Sequence, residues 1–126
     1  ATEAPSRRRI LIIEDNLDAA ETTRMLLERA GHDVRMAHTG AEGIAAARQF
    51  LPQVILCDIG LPGVDGYQVA RTMRLDDAFG TPFIVALTGY GRDQDRKQAQ
   101  EAGFDMHLTK PIDMGSLRRA LAELPQ

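Results

Sequence analysis

Two stretches of this chain, Val54-Ile55-Leu56-Cys57 and Phe83-Ile84-Val85-Ala86-Leu87, are apolar without a break. A strand with one wet face alternates apolar and polar residues, whereas a short continuous run suits a central parallel strand covered on both faces. Strands are expected near 9–14, 33–37, 54–58, 83–88 and 104–109, and the segments between them carry helical spacing. Ala19, Ala20, Thr23, Leu26, Leu27 and Ala30 form one stripe, stopped by Gly31 where a helix C-cap fits. Ile44, Ala47 and Leu51 form a second, ended by Pro52, and Gly66, Val69, Ala70 and Met73 a third. Leu117, Ala120, Leu121 and Leu124 form the last. Five βα units in succession imply parallel pairing with right-handed crossovers, so the expected class is α/β, a doubly wound (βα)5 sandwich.

The segment 92–102 is the polar exception, with only Ala99 and Ala102 as apolar contacts. Two alanines bury little area, so this helix is expected to be well solvated and loosely anchored. That is compatible with its shifting when a neighbouring site changes.

The apolar runs end in groups of complementary chemistry. Ile10-Leu11-Ile12-Ile13 runs into Glu14-Asp15, Val54-Ile55-Leu56-Cys57 into Asp58, Phe83 to Leu87 into Thr88, and Met106-His107-Leu108 into Thr109-Lys110-Pro111. In open α/β sheets a ligand sits outside the carboxyl ends of the strands, where strand order reverses. A flavodoxin-like order of 2-1-3-4-5, taken over from the fold type, makes the first and third strands neighbours there. Three carboxylates so close would repel unless a cation sits among them. A hard oxygen site of this kind suits Mg2+, or Mn2+, and the ion would let an anionic phosphoryl group approach an anionic nucleophile. Asp58 is the expected nucleophile, forming an acyl phosphate. Lys110 supplies a point charge for phosphoryl oxygens, Thr88 a hydroxyl, and the backbone N–H groups of Ile59 and Gly89 complete the cradle. A lone strand-terminal Asp is usually a turn or cap residue, but separate caps have no reason to gather at one sheet edge.

The bulk properties narrow the rest. A chain of 126 residues fits one domain with a single core. Net charge −3 gives no reason to expect nucleic acid binding. No apolar run approaches the ~20 residues that span a bilayer. Residues 1–7 read as a flexible N-terminal segment or linker without secretory character, and 8–124 as the domain. Arg7-Arg8-Arg9 could be a binding patch or simply a solvated lead-in. The single Cys57 excludes an internal disulfide and, with the rest, makes a cytoplasmic location the default.

Across residues 8–124 the chain resembles a response-regulator receiver domain of two-component signalling. The likeness rests on Ile13-Glu14-Asp15-Asn16, Asp58 to Gly66, Ala86-Leu87-Thr88-Gly89 and Leu108-Thr109-Lys110-Pro111. It implies Asp58 as phosphoacceptor, Glu14 and Asp15 as the acidic pair around Mg2+, Thr88 as the switch hydroxyl and Lys110 as the phosphate-contacting lysine. It also suggests a cis Lys110-Pro111 bond. The partner implied is a histidine kinase or histidine phosphotransfer domain, with an effector reading the face built from helix 92–102, the His107 strand and the last helix. Leu87-Thr88-Gly89-Tyr90-Gly91 with Ala102-Gly103-Phe104-Asp105 is similar to receivers attached to hybrid histidine kinases, leaving a free-standing regulator or a hybrid-kinase receiver both open.

Departures from the family pattern carry information. Glu14 is longer than the aspartate often found there, so a water-mediated metal contact is open. Gly60, two residues after Asp58, offers its carbonyl to the metal, and Tyr90, two after Thr88, could cover the opening. His107 occupies the aromatic switch position, either as a rotamer switch or as a half-exposed strand histidine. Two other classes compete. A haloacid-dehalogenase-type phosphatase also forms an aspartyl phosphate but needs an acid/base Asp where this chain has Gly60. A flavin or nucleotide binder needs a phosphate-binding first loop, where Glu14-Asp15 would repel phosphate.

Overall fold

In a computed structural model, which describes residues 7–89 and 93–124, the elements alternate along the chain. They are β1 (Arg9–Ile13), α1 (Leu17–Arg29), β2 (Asp33–Ala37), α2 (Gly40–Phe50), β3 (Val54–Asp58) and α3 (Gly66–Leu75). A 3-10 turn, Asp77–Phe79, leads to β4 (Phe83–Thr88), α4 (Asp93–Ala102), β5 (Met106–Thr109) and α5 (Met114–Ala122). The sheet has five strands in the order β2-β1-β3-β4-β5, and every pairing is parallel. This is the expected (βα)5 sandwich.

Two cores explain why the central strands are apolar throughout. Leu11, Ile13, Ile55, Cys57, Ile84 and Ala86 face α2, α3 and α4. Ile10, Ile12, Val54, Leu56, Val85 and Leu87 face α1 and α5. Alternate residues of one strand point to opposite faces, so each apolar run fills both cores.

Helix ends are set by local chemistry. Asn16, Thr39, Asp65 and Asp113 each cap a helix by accepting a backbone N–H from the first turn. Asp65 and Gln68 complete a capping box at α3. After α1, Gly31 N–H donates to Glu28 and His32 N–H to Leu27, and φ of +100° at Gly31 makes glycine the fitting residue.

The structure departs from the sequence reading in a few places. Leu51 does not continue the buried stripe of α2: it is 45% exposed and caps that helix in a left-handed conformation, while Phe50 is buried instead. β5 begins at Met106 rather than 104, because the N–H groups of Gly103 and Phe104 turn back to Ala99 and close α4. Phe104 is buried in the core on that side. The polar helix is anchored as expected, with Ala99 and Ala102 both buried. Tyr90 and Arg92 lie outside the described residues.

Candidate functional site

The carboxyl ends of β1, β3, β4 and β5 bring the expected side chains to one edge of the sheet. Ile13 pairs with Cys57 and Asp58 with Leu87, so Glu14-Asp15 and Asp58 emerge side by side from adjacent strands. Single carboxylate oxygens of Glu14, Asp15 and Asp58 all lie within 4.8 Å of one another. Glu14 is buried at 2% exposure, Asp58 is partly open and Asp15 is exposed. The site thus grades from a dry floor to a wet rim.

Lys110 closes it from β5, where its N–H donates to the Thr88 carbonyl at 2.7 Å and the Lys110-Pro111 bond is cis. The ammonium lies 2.6 Å from Glu14 Oε1 and 3.1 Å from Asp58 Oδ2. The other oxygen of Asp58 accepts from the Gly60 amide at 2.9 Å, and Glu14 Oε2 accepts from the Asn16 amide at 3.2 Å. The Glu14 and Asp58 carboxylates are therefore each held at both oxygens.

These contacts and burial set the titration. Burial is the main reason Glu14 is pushed up to about 7, against the lowering pull of Lys110. Burial also pushes Asp58 up, but hydrogen bonds with Glu14, the Gly60 amide and Lys110 outweigh it and leave its carboxyl below the ordinary range. Lys110 loses some affinity for its proton to burial and regains more from the two carboxylates, so it stays charged. Burial and contacts thus push the two neighbouring carboxyls in opposite directions, Glu14 up and Asp58 down. Burial drives the neighbouring Cys57 thiol far up, and no nucleophile is available there.

Thr88 is buried, and its hydroxyl donates to the Leu108 carbonyl at 3.5 Å, a long and weak bond. The Ile59 amide donates to the Leu87 carbonyl at 3.3 Å, so Gly60 and not Ile59 supplies the backbone donor on Asp58 here. Gly89 follows Thr88 at the rim. His107 is half-buried and paired across from Ala86, its imidazole held below its ordinary pKa by burial and the charge of Arg96.

Three contributors were not picked out from the sequence. His38 Nδ1 lies 3.2 Å from the Glu14 carbonyl, tying the end of β2 to the acidic loop. The pairing of Ile13 with Ala37 puts these two residues side by side, so register was the missing signal. The Asn16 and Gly60 amides act through the backbone, which side-chain chemistry does not announce. Gly66 also matters by what it lacks. A Cβ there would lie 2.6 Å from the Asp58 carbonyl oxygen and 2.6 Å from Ile59 Cα, so only glycine lets α3 start so close to the end of β3.

An acidic cluster with one lysine thus sits at the switch point of a five-stranded parallel sheet. Residues 10–122 match the response regulator receiver domain family. Protein PilH of Pseudomonas aeruginosa is 33% identical over 113 residues, covering 90% of this chain and 93% of PilH. RpaA, a DNA-binding dual master transcriptional regulator of Synechocystis, is 40% identical over 106 residues, covering 84% of this chain but 44% of RpaA. The chain therefore spans nearly all of one such relative and under half of the other. Among solved structures, the receiver domain of sensor histidine kinase PA1611 from P. aeruginosa superimposes with a TM-score of 0.85 at 28% identity, covering 94% of this chain and 98% of that one. That structure holds a magnesium ion coordinated in its active site cleft. This chain belongs to the response regulator receiver domain family of two-component signalling. Among the described residues no helix is long and apolar enough to cross a membrane.

Proposed function

We propose that Asp58 is the phosphoacceptor and that it receives its phosphoryl group from a phosphohistidine on a histidine kinase or a histidine phosphotransfer domain. The observation that carries this reading is the double hold on the Asp58 carboxylate, by Lys110 at one oxygen and the Gly60 amide at the other. Those contacts keep the carboxylate ionised and oriented, which is what a nucleophile requires. An Asp58 oxygen forms a new bond to phosphorus as the nitrogen–phosphorus bond of the donor breaks, and the released imidazole takes up a proton. Lys110, already between Glu14 and Asp58, is placed to turn toward the phosphoryl oxygens as charge develops on them.

Glu14, Asp15, Asp58 and the Gly60 carbonyl would hold Mg2+, or Mn2+ in its place; three carboxylates with no nitrogen or sulfur donor form a hard oxygen set that fits such an ion. Bound there, the ion supplies charge neutralisation that lets an anionic donor approach an anionic acceptor. The magnesium in the PA1611 receiver supports the assignment.

Thr88 is the switch. Its long bond to Leu108 is weak enough to be exchanged for one to a phosphoryl oxygen. That exchange draws the end of β4 toward Asp58, opens space for His107 to turn inward and reshapes the α4-β5-α5 face that an effector reads. The Gly89 amide, and the Ile59 amide once released from Leu87, complete the phosphoryl cradle. On this reading 8–124 is the receiver and 1–7 a lead-in, acting in the cytoplasm as a free-standing regulator or as the receiver of a hybrid kinase. A dehalogenase-type phosphatase fits less well, since Gly60 has no side chain to act as acid or base.

Incubation with Mg2+ and acetyl phosphate tests the reading. One phosphoryl group is expected on the wild type, none on Asp58→Ala, and a much higher Mg2+ requirement for Asp15→Ala. Modification that survives Asp58→Ala sinks the acceptor assignment, and an undiminished Mg2+ response in Asp15→Ala sinks the metal assignment.

A further inference from the structure

A groove of about 770 Å3 runs between α1 and α5, reaching the N-terminal end of β1 and so extending away from Asp58. Its floor is apolar, formed chiefly by Leu26, Met114 and Leu121, all half-buried. Every lining side chain able to carry charge is basic: Arg8, Arg29, Arg118 and His32. This occurs on a chain whose net charge is −3. Among the described residues none of the three guanidiniums has a carboxylate or hydrogen-bond partner, as is also true of Arg71 and Arg96 elsewhere on the surface, whereas Arg24, Arg48 and Arg74 are paired. What marks the groove is three such groups beside one apolar floor. Positive charge has been gathered here and left unspent.

The shape and the charge select among occupants. A flat bilayer does not reach a floor that is concave and half-buried. A nucleic acid finds an acidic molecule with only a short basic rim, and makes no use of an apolar floor. A small anion would engage the rim alone. A helix laid into the cleft between two helices uses both features, placing apolar side chains at i, i+3, i+4 and i+7 on the floor and carboxylates against the rim. From Met114 to Ala122 the α5 wall is about 12 Å long, or roughly two turns.

We propose that this groove docks an acidic amphipathic helix of a partner protein, at a site separate from the phosphoryl-transfer centre. Because the groove leads away from Asp58, the helix can sit there while the acceptor stays open. The inference does not depend on the role assigned to Asp58.

The test uses the 15N-labelled chain and a short acidic peptide of Leu, Ala and Glu with leucine at amphipathic spacing, against a scrambled peptide of the same composition. Dose-dependent amide shifts are expected at Leu26, Met114 and Leu121. Affinity is expected to fall at least about tenfold in Arg29→Glu/Arg118→Glu and to change less than about threefold in Arg119→Glu, a same-helix control outside the groove. Met114→Glu provides a second variant, since a carboxylate is favoured in the first turn of α5 while placing negative charge in the groove. Absence of shifts at these amides, equal binding of the scrambled peptide, or undiminished binding by both groove variants overturns the proposal. Shifts produced by phosphatidylglycerol vesicles or duplex DNA but not by the peptide overturn it as well.

Discussion

Replacing Gly66 by alanine isolates the close approach between the start of α3 and the end of β3. The new methyl would sit 2.6 Å from the Asp58 carbonyl oxygen and 2.6 Å from Ile59 Cα. Both neighbours are backbone, so no rotamer change relieves the overlap and the β3–α3 connection must move. Overpacking of this kind costs about 1–3 kcal/mol, and alanine returns a fraction of that through better helix propensity, leaving a net loss of about 1–2 kcal/mol. For a domain of this size the melting temperature then falls by roughly 3–10 °C. Gly60 supplies the internal control: a Cβ there meets only Asp58 Oδ1, at an ordinary 3.5 Å. Urea unfolding of Gly66→Ala and Gly60→Ala beside the wild type is the assay. Gly66→Ala within about 0.5 kcal/mol of the wild type, or equal loss in both variants, would refute the reasoning.

Other outcomes follow from the same geometry. Because Glu14 is raised from 4.5 to about 7, the unfolded chain releases this proton across that window while the folded chain keeps it. Glu14 therefore lowers metal-free stability, measured in EDTA, as pH rises from about 4.5 to about 7. His32 and His107, both held below 6.5, act in the opposite sense, so the check is that the wild type loses stability relative to Glu14→Gln across that window. Asp58 and Lys110 shift outward, below 3.8 and above 10.5, and so act outside that window. At the opposite end of the sheet, Arg74 donates to the Gly103 and Pro82 carbonyls at 2.9 Å each and to Asp105 at 2.6 Å. Arg74→Leu should lower stability by about 1–3 kcal/mol in urea titrations while leaving Mg2+ affinity unchanged. Thr88→Ala should still accept phosphate by mass spectrometry, yet lose the amide shifts that phosphorylation causes along α4, β5 and α5.

Central strands are the easiest thing to read in such a chain. Ile55 and Ile84 serve one core and Leu56 and Val85 the other, so burial on both faces writes itself as an unbroken apolar run. The side chains of the site were legible for a related reason: Asp58 and Thr88 each end such a run, Lys110 follows the shorter mixed strand β5, and parallel strands end together. Backbone chemistry left less trace. Which amide reaches Asp58 depends on the turn after β3, where Ile59 N–H is drawn to Leu87 and Gly60 N–H is left for the carboxylate. The left-handed cap at Leu51 moved the buried position to Phe50, a shift that periodicity alone does not foresee. His38 became part of the site only through the register of β1 and β2.

The central claim is that the phosphoryl group goes onto Asp58, and chemical trapping tests it most directly. The chain is incubated with Mg2+ and acetyl phosphate, reduced with borohydride, digested and mapped by mass spectrometry. An acyl phosphate at this residue is reduced to homoserine, so the account predicts homoserine at position 58 and only when Mg2+ is present. Homoserine at another aspartate, or none at all under conditions where the protein carries phosphate, would contradict it.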